Sequence, residues 1–285
     1  MTDNTKAEQI FKIKQASLDD MSFLLSMAEQ EGWNPGLHDA VAFYAADPAG
    51  FFYGELEGKK IGCVSAVRYS SSYGFLGFYV IHPEYREQRL GYQLGMRARE
   101  QFLNQCLGLD ARIEQVASFE KLGFKLYFKN RRYQGMGGVK KPEGLTEICR
   151  VPLEAIVHYD APIFGAEREA FLEKWITMPN AHGFTVMEGQ NLKGYGMIRT
   201  SVHGWRIGPL FADDRDTASL IFHGLMSQVP HSSVYIDVPE INTNALEIVE
   251  NYGMKKNSET FRMYTEAPPS QAFEKMFGIT STELG

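Results

Sequence analysis

The chain has 285 residues, three cysteines and a formal net charge of −6, a length that suits about two domains of ~100–200 residues. Mild acidity without a basic block argues against nucleic acid, because phosphate binding needs clustered Lys and Arg and Lys129-Asn130-Arg131-Arg132 is too little. No apolar run reaches the ~18 residues that span a bilayer, Met1 to Gln9 carries no signal-peptide core, and widely spaced Cys63, Cys106 and Cys149 indicate neither a disulfide framework nor a metal site. A soluble, cytoplasmic protein without metal or membrane partner is expected.

Phe11 to Gln15 alternates and reads as a strand. Ser17 and Asp20 then supply a helix start, with Met21, Leu24, Leu25 and Ala28 as its apolar face. After Gly32-Trp33-Asn34-Pro35-Gly36, a turn cluster, a second helix is expected over Leu37 to Ala46. Phe51–Leu56 and Ile61–Tyr69 read as a hairpin about Glu57-Gly58-Lys59-Lys60. Phe75 to Ile81 is a strand that Pro83 stops, since proline cannot donate to a ladder. Leu90, Leu94, Ala98 and Phe102 then fall at helical spacing. The stretch is strand, polar turn, helix, and such a turn leaves the first helix amides free at the positive end of the dipole, where a diphosphate fits. Leu109 to Val116 reads as a short strand, Phe119 to Gly123 as a helix closing on glycine, and Lys125 to Tyr133 as a strand.

Gly135 to Gly144, rich in glycine, lysine and proline, is the best linker candidate. Beyond it the layout repeats. A hairpin surrounds Gly189-Gln190-Asn191, and Trp205–Phe211 is a strand. Asp216–Val229 has helical spacing, Val234–Val238 is a strand, Asn244–Gly253 a helix and Thr260–Tyr264 a strand. The separation from Gly58 to Gly123 nearly equals that from Gly189 to Gly253, as a structural duplication would give. The second half presents Asp213, Asp214 and Asp216 where the first has its polar turn, and carboxylates repel a diphosphate. Phe277 to Gly285 is apolar enough to dock on the body as an extended segment.

Ile81, Pro83, Arg86, Leu90 and Gly91 resemble motif A of the Gcn5-related N-acetyltransferases (GNAT), and Phe119-Glu120-Lys121-Leu122-Gly123-Phe124 resembles that family's second recurrent element. Glu87 and Arg89 stand where the family usually has glycine. Gly32–Gly36, Gly208–Asp213, Ile236–Glu240 and Arg262-Met263-Tyr264 match a two-domain subgroup. The resemblance implies an α+β fold of tandem domains, each a mixed, mostly antiparallel sheet flanked by helices. The expected division is an acetyl-CoA-binding domain at 1–138, a linker at 139–150, a degenerate acetyltransferase-like domain at 151–270 and a docked tail at 271–285.

It also implies direct acetyl transfer from acetyl-CoA to an amine of a small molecule, with Tyr79, Val80, Ile81, Arg86, Glu87, Gln88, Arg89, Leu90, Gly91 and Tyr92 holding the cofactor. The usual acid for the leaving thiolate is a tyrosine, and the matching position is Phe119 here and Val249 in the second half. Tyr79, Tyr85, Tyr127 or Tyr133, water, or the departing ammonium proton could serve instead. Asp110, with Glu114 on the same strand face by the period of two, is the nearest candidate base. Trp33 and Asn34 are expected over the acceptor, where an indole face can hold a cationic amine. Asp237 is expected to reach the acceptor from the second half, with Glu240, Asp160 and Arg168 along the inter-domain surface. Two rival readings stay open: an acyl-CoA-binding sensor or scaffold without turnover, and a catalyst that uses the second domain.

Overall fold

The computed structural model describes residues 11–102 and 105–285. β1 (Phe11–Gln15) enters α1 (Met21–Gln30) through a turn in which Ser17 N donates to Asp20 Oδ2 at 2.8 Å and Asp20 N donates to Ser17 Oγ at 3.4 Å. That reciprocal exchange satisfies amides at the entry to the helix. α2 (Asp39–Ala46), β2 (Phe51–Leu56), β3 (Lys59–Arg68) and β4 (Tyr73–Ile81) follow, then α3 (Leu90–Arg99) and β5 (Cys106–Ala111).

Here one expectation is corrected. The strand placed at Leu109–Val116 stops at Ala111, and Ile113 opens α4 (Ile113–Lys121). Arg112 is the extended N-cap residue, and Glu114 lies in the first helical turn, where its charge suits the dipole. Glu114 therefore does not share a strand face with Asp110. Gly123, at φ 92°, ends the helix and lets Phe124 N reach back to Phe119 O at 3.1 Å. β6 (Lys125–Met136) closes the first half.

The second half contains β7 (Thr146–Glu147), α5 (Leu153–Phe164), α6 (Glu169–Ile176), β8 (Ala181–Glu188), β9 (Asn191–Thr200) and β10 (Trp205–Ala212). α7 (Arg215–Ser227), β11 (Ser233–Pro239), α8 (Thr243–Asn251), β12 (Lys255–Tyr264) and β13 (Met276–Gly278) complete it. Each half is a mixed, mostly antiparallel sheet flanked by helices, and the two sheets run together. Part of the glycine-rich stretch is not a free linker. Gly135 and Met136 belong to β6, and Gly137 N and Gly138 N each donate at 2.9 Å, to Ser232 O and Met226 O. Among the described residues no helix is long and apolar enough to cross a membrane.

The strand order is β1-β2-β3-β4-β5-β12-β6-β11-β10-β9-β8-β7, with β13 beside β10. The last strands are exchanged between halves: β12 pairs antiparallel with β5, and β6 pairs antiparallel with β11. Side chains follow their strands. Phe261 and Met263 of β12 pack with Leu94, Ala98 and Phe119, while Tyr133 of β6 packs with Ile221, Phe222 and Ile248. On the opposite face a single core mixes both halves, with Phe43 stacked on Trp175 at 5.8 Å.

Two buried ion pairs sit at matching registers of the exchange. Asp110 faces Arg262 across β5–β12, and Asp237 faces Arg132 across β11–β6. Asp110 accepts Arg262 Nε and Nη2, both at 2.8 Å, and Asp237 accepts Arg132 Nε at 2.7 Å and Nη2 at 2.8 Å. Arg206 adds a third bond to Asp237, at 2.9 Å. Burial pushes the Asp237 carboxyl up, but Arg132 and Arg206 together outweigh it and hold the group well below its ordinary 3.8.

Removing one member of such a pair strands the other charge and costs about 3–5 kcal/mol. Asp237→Asn is expected to lower the unfolding free energy, read from urea denaturation at pH 7, by that amount. Because the folded carboxyl lies below its unfolded value, its stabilisation is complete above about pH 4 and is lost as pH falls toward the folded value. The stability gap between wild type and variant should therefore narrow only under acid conditions. A gap that is small at pH 7 would mean that the pair does not join the halves.

Candidate functional site

β4 and β5 pair in parallel only at Tyr73–Leu76 with Cys106–Leu109. At Gly77 and Phe78 the ladder to β3 shifts register, and Phe78 takes φ 47°, a left-handed conformation that a bulky side chain adopts at a cost of about 1–2 kcal/mol. Beyond this bulge the two strands diverge. The wedge between them is a cavity of about 140 Å³, walled by β4, β5, the α1–α2 loop at Trp33, α4 at Phe119 and β12 at Thr260. Divergence frees the β4 backbone of Tyr79, Val80 and Ile81 on its β5 side, because no ladder continues there.

The polar turn follows directly. Pro83–Tyr85 forms one 3-10 turn, Arg86 is extended, and Glu87 and Arg89 take φ 66° and 60°. The two positions where the family has glycine are thus left-handed here without glycine, a strain of about 1–2 kcal/mol each. Arg89 is the N-cap of α3 and no side chain caps it; the first amide bonded back along the helix is that of Gln93, to Arg89 O at 3.2 Å. The amides of Leu90, Gly91 and Tyr92 precede it, which is the arrangement that receives an anion. A cleft of about 370 Å³ beside them is lined by Tyr79, Val80, Ile81, Glu87, Gly91 and Tyr92, among others. Arg86 also lines this cleft, while the side chains of Gln88 and Leu90 turn elsewhere. Gln88 donates to Glu84 O at 3.4 Å, Leu90 is buried with Leu56 and Ile61, and Arg86 donates to Ile81 O at 2.9 Å and pairs with Glu31.

The second half has the same splay, and it is filled. β10 and β11 pair only at Trp205–Ile207 with Val234–Ile236, and the strand turns aside at Gly208-Pro209. β13 then occupies the gap, pairing with β10, while Ile279 N donates to Asp237 O at 3.0 Å. A Cβ on Gly208 would stand 2.4 Å from Thr280 O, so the tail lies directly on the bulge. At the start of α7 the Asp214 carboxylate accepts Thr217 N at 2.8 Å. That carboxylate, with Asp213 and Asp216 beside it, would repel an anion at this turn.

From this plug the tail crosses to the first half. A Cβ on Gly77 would lie 1.9 Å from Glu283 O, Tyr69 Oη donates to Leu284 O at 2.8 Å, and Thr282 lines the open cavity. Two equivalent wedges are thus joined by one segment, which closes one and walls the other.

Of the residues singled out for the acceptor, Trp33 lines the cavity; Asn34 does not. Its amide donates to His203 O at 3.2 Å and accepts His203 N at 2.7 Å, tying the first half to the second. Asp237 touches the cavity with both oxygens held by guanidinium groups, and Asp110 does so with Asn130 and Arg262 on its oxygens and its side chain fully buried. For Asp110 burial pushes the carboxyl above its ordinary value, with one opposing arginine rather than two. Phe119 lies edge-on to Tyr79 at 6.1 Å, and burial pushes the Tyr79 phenol up, so it stays protonated at neutral pH. Sequence reasoning missed Glu31, Phe78, Thr260 and Thr282. Only the turn after Glu31 hinted at the first, and nothing local marks the others.

The bulged, splayed β4–β5 pair ending in an open helix N-terminus accords with the comparisons, and the chain belongs to the GNAT acyltransferase family. The acetyltransferase (GNAT) family description matches residues 18–124, and an acetyltransferase (GNAT) domain description matches residues 156–278. Holothin acyltransferase of Pseudoalteromonas sp. (strain SANK 73390) is 30% identical over 280 residues, covering 97% of this chain and 95% of that protein. A putative acetyltransferase from Pyrococcus horikoshii superposes with a TM-score of 0.83 at 20% identity, covering 100% and 99% of the two chains. A tandem GNAT protein from the clavulanic acid biosynthesis pathway has a TM-score of 0.62 at 14% identity, covering 92% and 100%.

Gly77 admits the tail because it has no side chain. Gly77→Ala is expected to lose about 1–3 kcal/mol of stability by overpacking against the Glu283 carbonyl, and to make the last residues accessible to carboxypeptidase. An unchanged melting temperature with a protected tail would refute the close approach.

Proposed function

We propose that the first half binds acetyl-CoA, or a closely related acyl-CoA, and transfers the acyl group directly to an amine of a small molecule. The supporting observation is the asymmetry of the two wedges: one is open beside three free helix amides, and its counterpart is filled by β13 and capped by Asp214. The relative named for holothin acylation adds support for a small-molecule acceptor. The turn at residues 86–92 would hold the diphosphate through the amides of Leu90, Gly91 and Tyr92. The diverging β4 backbone at Tyr79–Ile81 would align the pantetheine arm and polarise the thioester carbonyl. In the transfer the amine nitrogen forms a bond to the carbonyl carbon, the carbon–sulfur bond breaks, and an amine proton ends on the sulfur. The acceptor enters from the side of Trp33 and Thr282, so both halves build its pocket.

Titration calorimetry with acetyl-CoA, followed by a thiol-release assay over an amine panel, tests this reading. Gly91→Glu is expected to weaken acetyl-CoA binding more than tenfold, since a Cβ there already stands 3.2 Å from Tyr79 Oη and the carboxylate adds like charge, each effect worth on the order of 1–3 kcal/mol. Absence of acetyl-CoA binding in the wild type would sink the proposal. Binding without thiol release on any amine would favour the sensor, the reading that Phe119 in place of a tyrosine suggests.

A further inference from the structure

We infer that the Tyr79 hydroxyl is a fourth donor to the diphosphate of the bound acyl-CoA, beside the amides of Leu90, Gly91 and Tyr92, and that Gly91 and Gly95 form the seat that holds it there. This rests on the acyl-transfer reading above and deepens it, from the backbone of the turn to a side chain.

The first observation is position. Tyr79 lines the wedge, the cleft beside the polar turn and an apolar groove between α3 and α4, so it stands where the three meet. Its phenol lies against the first turns of α3. A Cβ on Gly91 would stand 3.2 Å from Tyr79 Oη, and a Cβ on Gly95 would stand 3.5 Å from the same atom and 3.4 Å from the ring. The two glycines are about one helical turn apart and share a face. Glycine weakens a helix relative to alanine, and here the two bare positions make room for the phenol. Phe119 meets the ring edge-on at 6.1 Å.

The second observation is that the hydroxyl is uncommitted. Tyr69, Tyr133, Tyr159, Tyr195 and Tyr252 each donate theirs to a carbonyl or carboxylate of the protein. Tyr73 has no partner, but it is sealed in the core. Tyr79 is only part-buried and borders the cleft. Burial pushes its phenol up, and no charge or hydrogen bond among the described residues acts on it. The group keeps its proton at neutral pH and has that proton to donate. A phosphate oxygen is a strong acceptor for it.

The third observation is charge. The charged residues lining the cleft are Arg86, Glu87 and Arg89. Arg86 is spent on Glu31 and on Ile81 O, and Glu87 offsets Arg89 in net charge. Side-chain cations therefore leave much of a diphosphate's charge unmet. Neutral donors must meet it, which here means helix amides and the phenol.

The second half supplies an internal control. Tyr79 lies two residues past Gly77, and Leu210 lies two past Gly208 at the equivalent bulge. Counted from the N-caps Arg89 and Asp214, the places of Gly91 and Gly95 are taken by Asp216 and Leu220. The half whose helix start repels anions thus lacks both the hydroxyl and its seat, and Leu210 is core. Phenol and glycines accompany the open turn and are lost with it.

Titration calorimetry of the full chain with acetyl-CoA compares the wild type with Tyr79→Phe, which keeps the ring and removes only the hydroxyl. Kd is expected to rise about tenfold with the melting temperature unchanged, because a bond to a charged oxygen is lost and none within the protein is. Phosphorus NMR at saturating acetyl-CoA reads where the donor acts: the diphosphate resonances should move in the variant and the 3′-phosphate resonance should stay. Tyr79→Leu, which copies the second half, is the second variant and should lose at least as much affinity. An equal Kd in Tyr79→Phe, or diphosphate resonances that do not move, overturns the inference. So does a fall in kcat at saturating acetyl-CoA without loss of affinity, which would assign the phenol to the leaving sulfur. A wild type that does not bind acetyl-CoA strikes the parent reading, and this one with it.

Discussion

The exchange of the last strands is the constraint on which the rest depends. β12 completes the sheet of the first half and β6 that of the second, so neither half holds its core without a strand from the other. Two Asp–Arg pairs, Asp110–Arg262 and Asp237–Arg132, fix the register at equivalent points. An isolated buried pair gains little net stability over an apolar replacement, but a strand slipped by one residue would bury both charges without partners. Specification of one register is therefore the role we assign to these pairs. It also explains why two carboxylates beside the cavity are occupied before any ligand arrives.

The same duplication sets the functional asymmetry. Gly77-Phe78 and Gly208-Pro209 occupy equivalent bulges, and each lets the neighbouring parallel strand diverge. Chain that must fill or line both wedges comes from one place, the segment Met276–Leu284, which is almost wholly buried. Its first residues complete the β10 edge by ordinary ladder bonds, a better outcome than an open edge. Its last residues have no strand to join beside β4 and pass over Gly77 as a wall. One wedge becomes core and the other remains a cavity.

Strain is concentrated along the open wedge. Phe78, Glu87 and Arg89 all take left-handed conformations within twelve residues of one another, and such outliers persist only where surrounding packing imposes them. Phe78 is held in the shared core with Phe43 and Phe51, and the turn is anchored by Leu90 below it and by Arg86 reaching back to Glu31. The strand end and turn are thus shaped in advance by packing rather than by glycine.

The sequence alone determined the repeated order of strands and helices, the family, the polar turn before α3 and the run of aspartates that replaces it in the second half. These features are local: apolar spacing, a proline stop, a C′ glycine and a run of aspartates each act within a few residues. It misread the stretch after Ala111, because Arg112-Ile113-Glu114 alternates as well as it starts a helix. What only the tertiary structure decided is where each charge finds its partner. Asp110 and Asn34 look available in the sequence, and the pairs that occupy them, Arg262 and His203, lie far along the chain in the other half. Strand exchange and the path of the tail are long-range contacts, set by burial of the whole sheet, and no local pattern in either half records them.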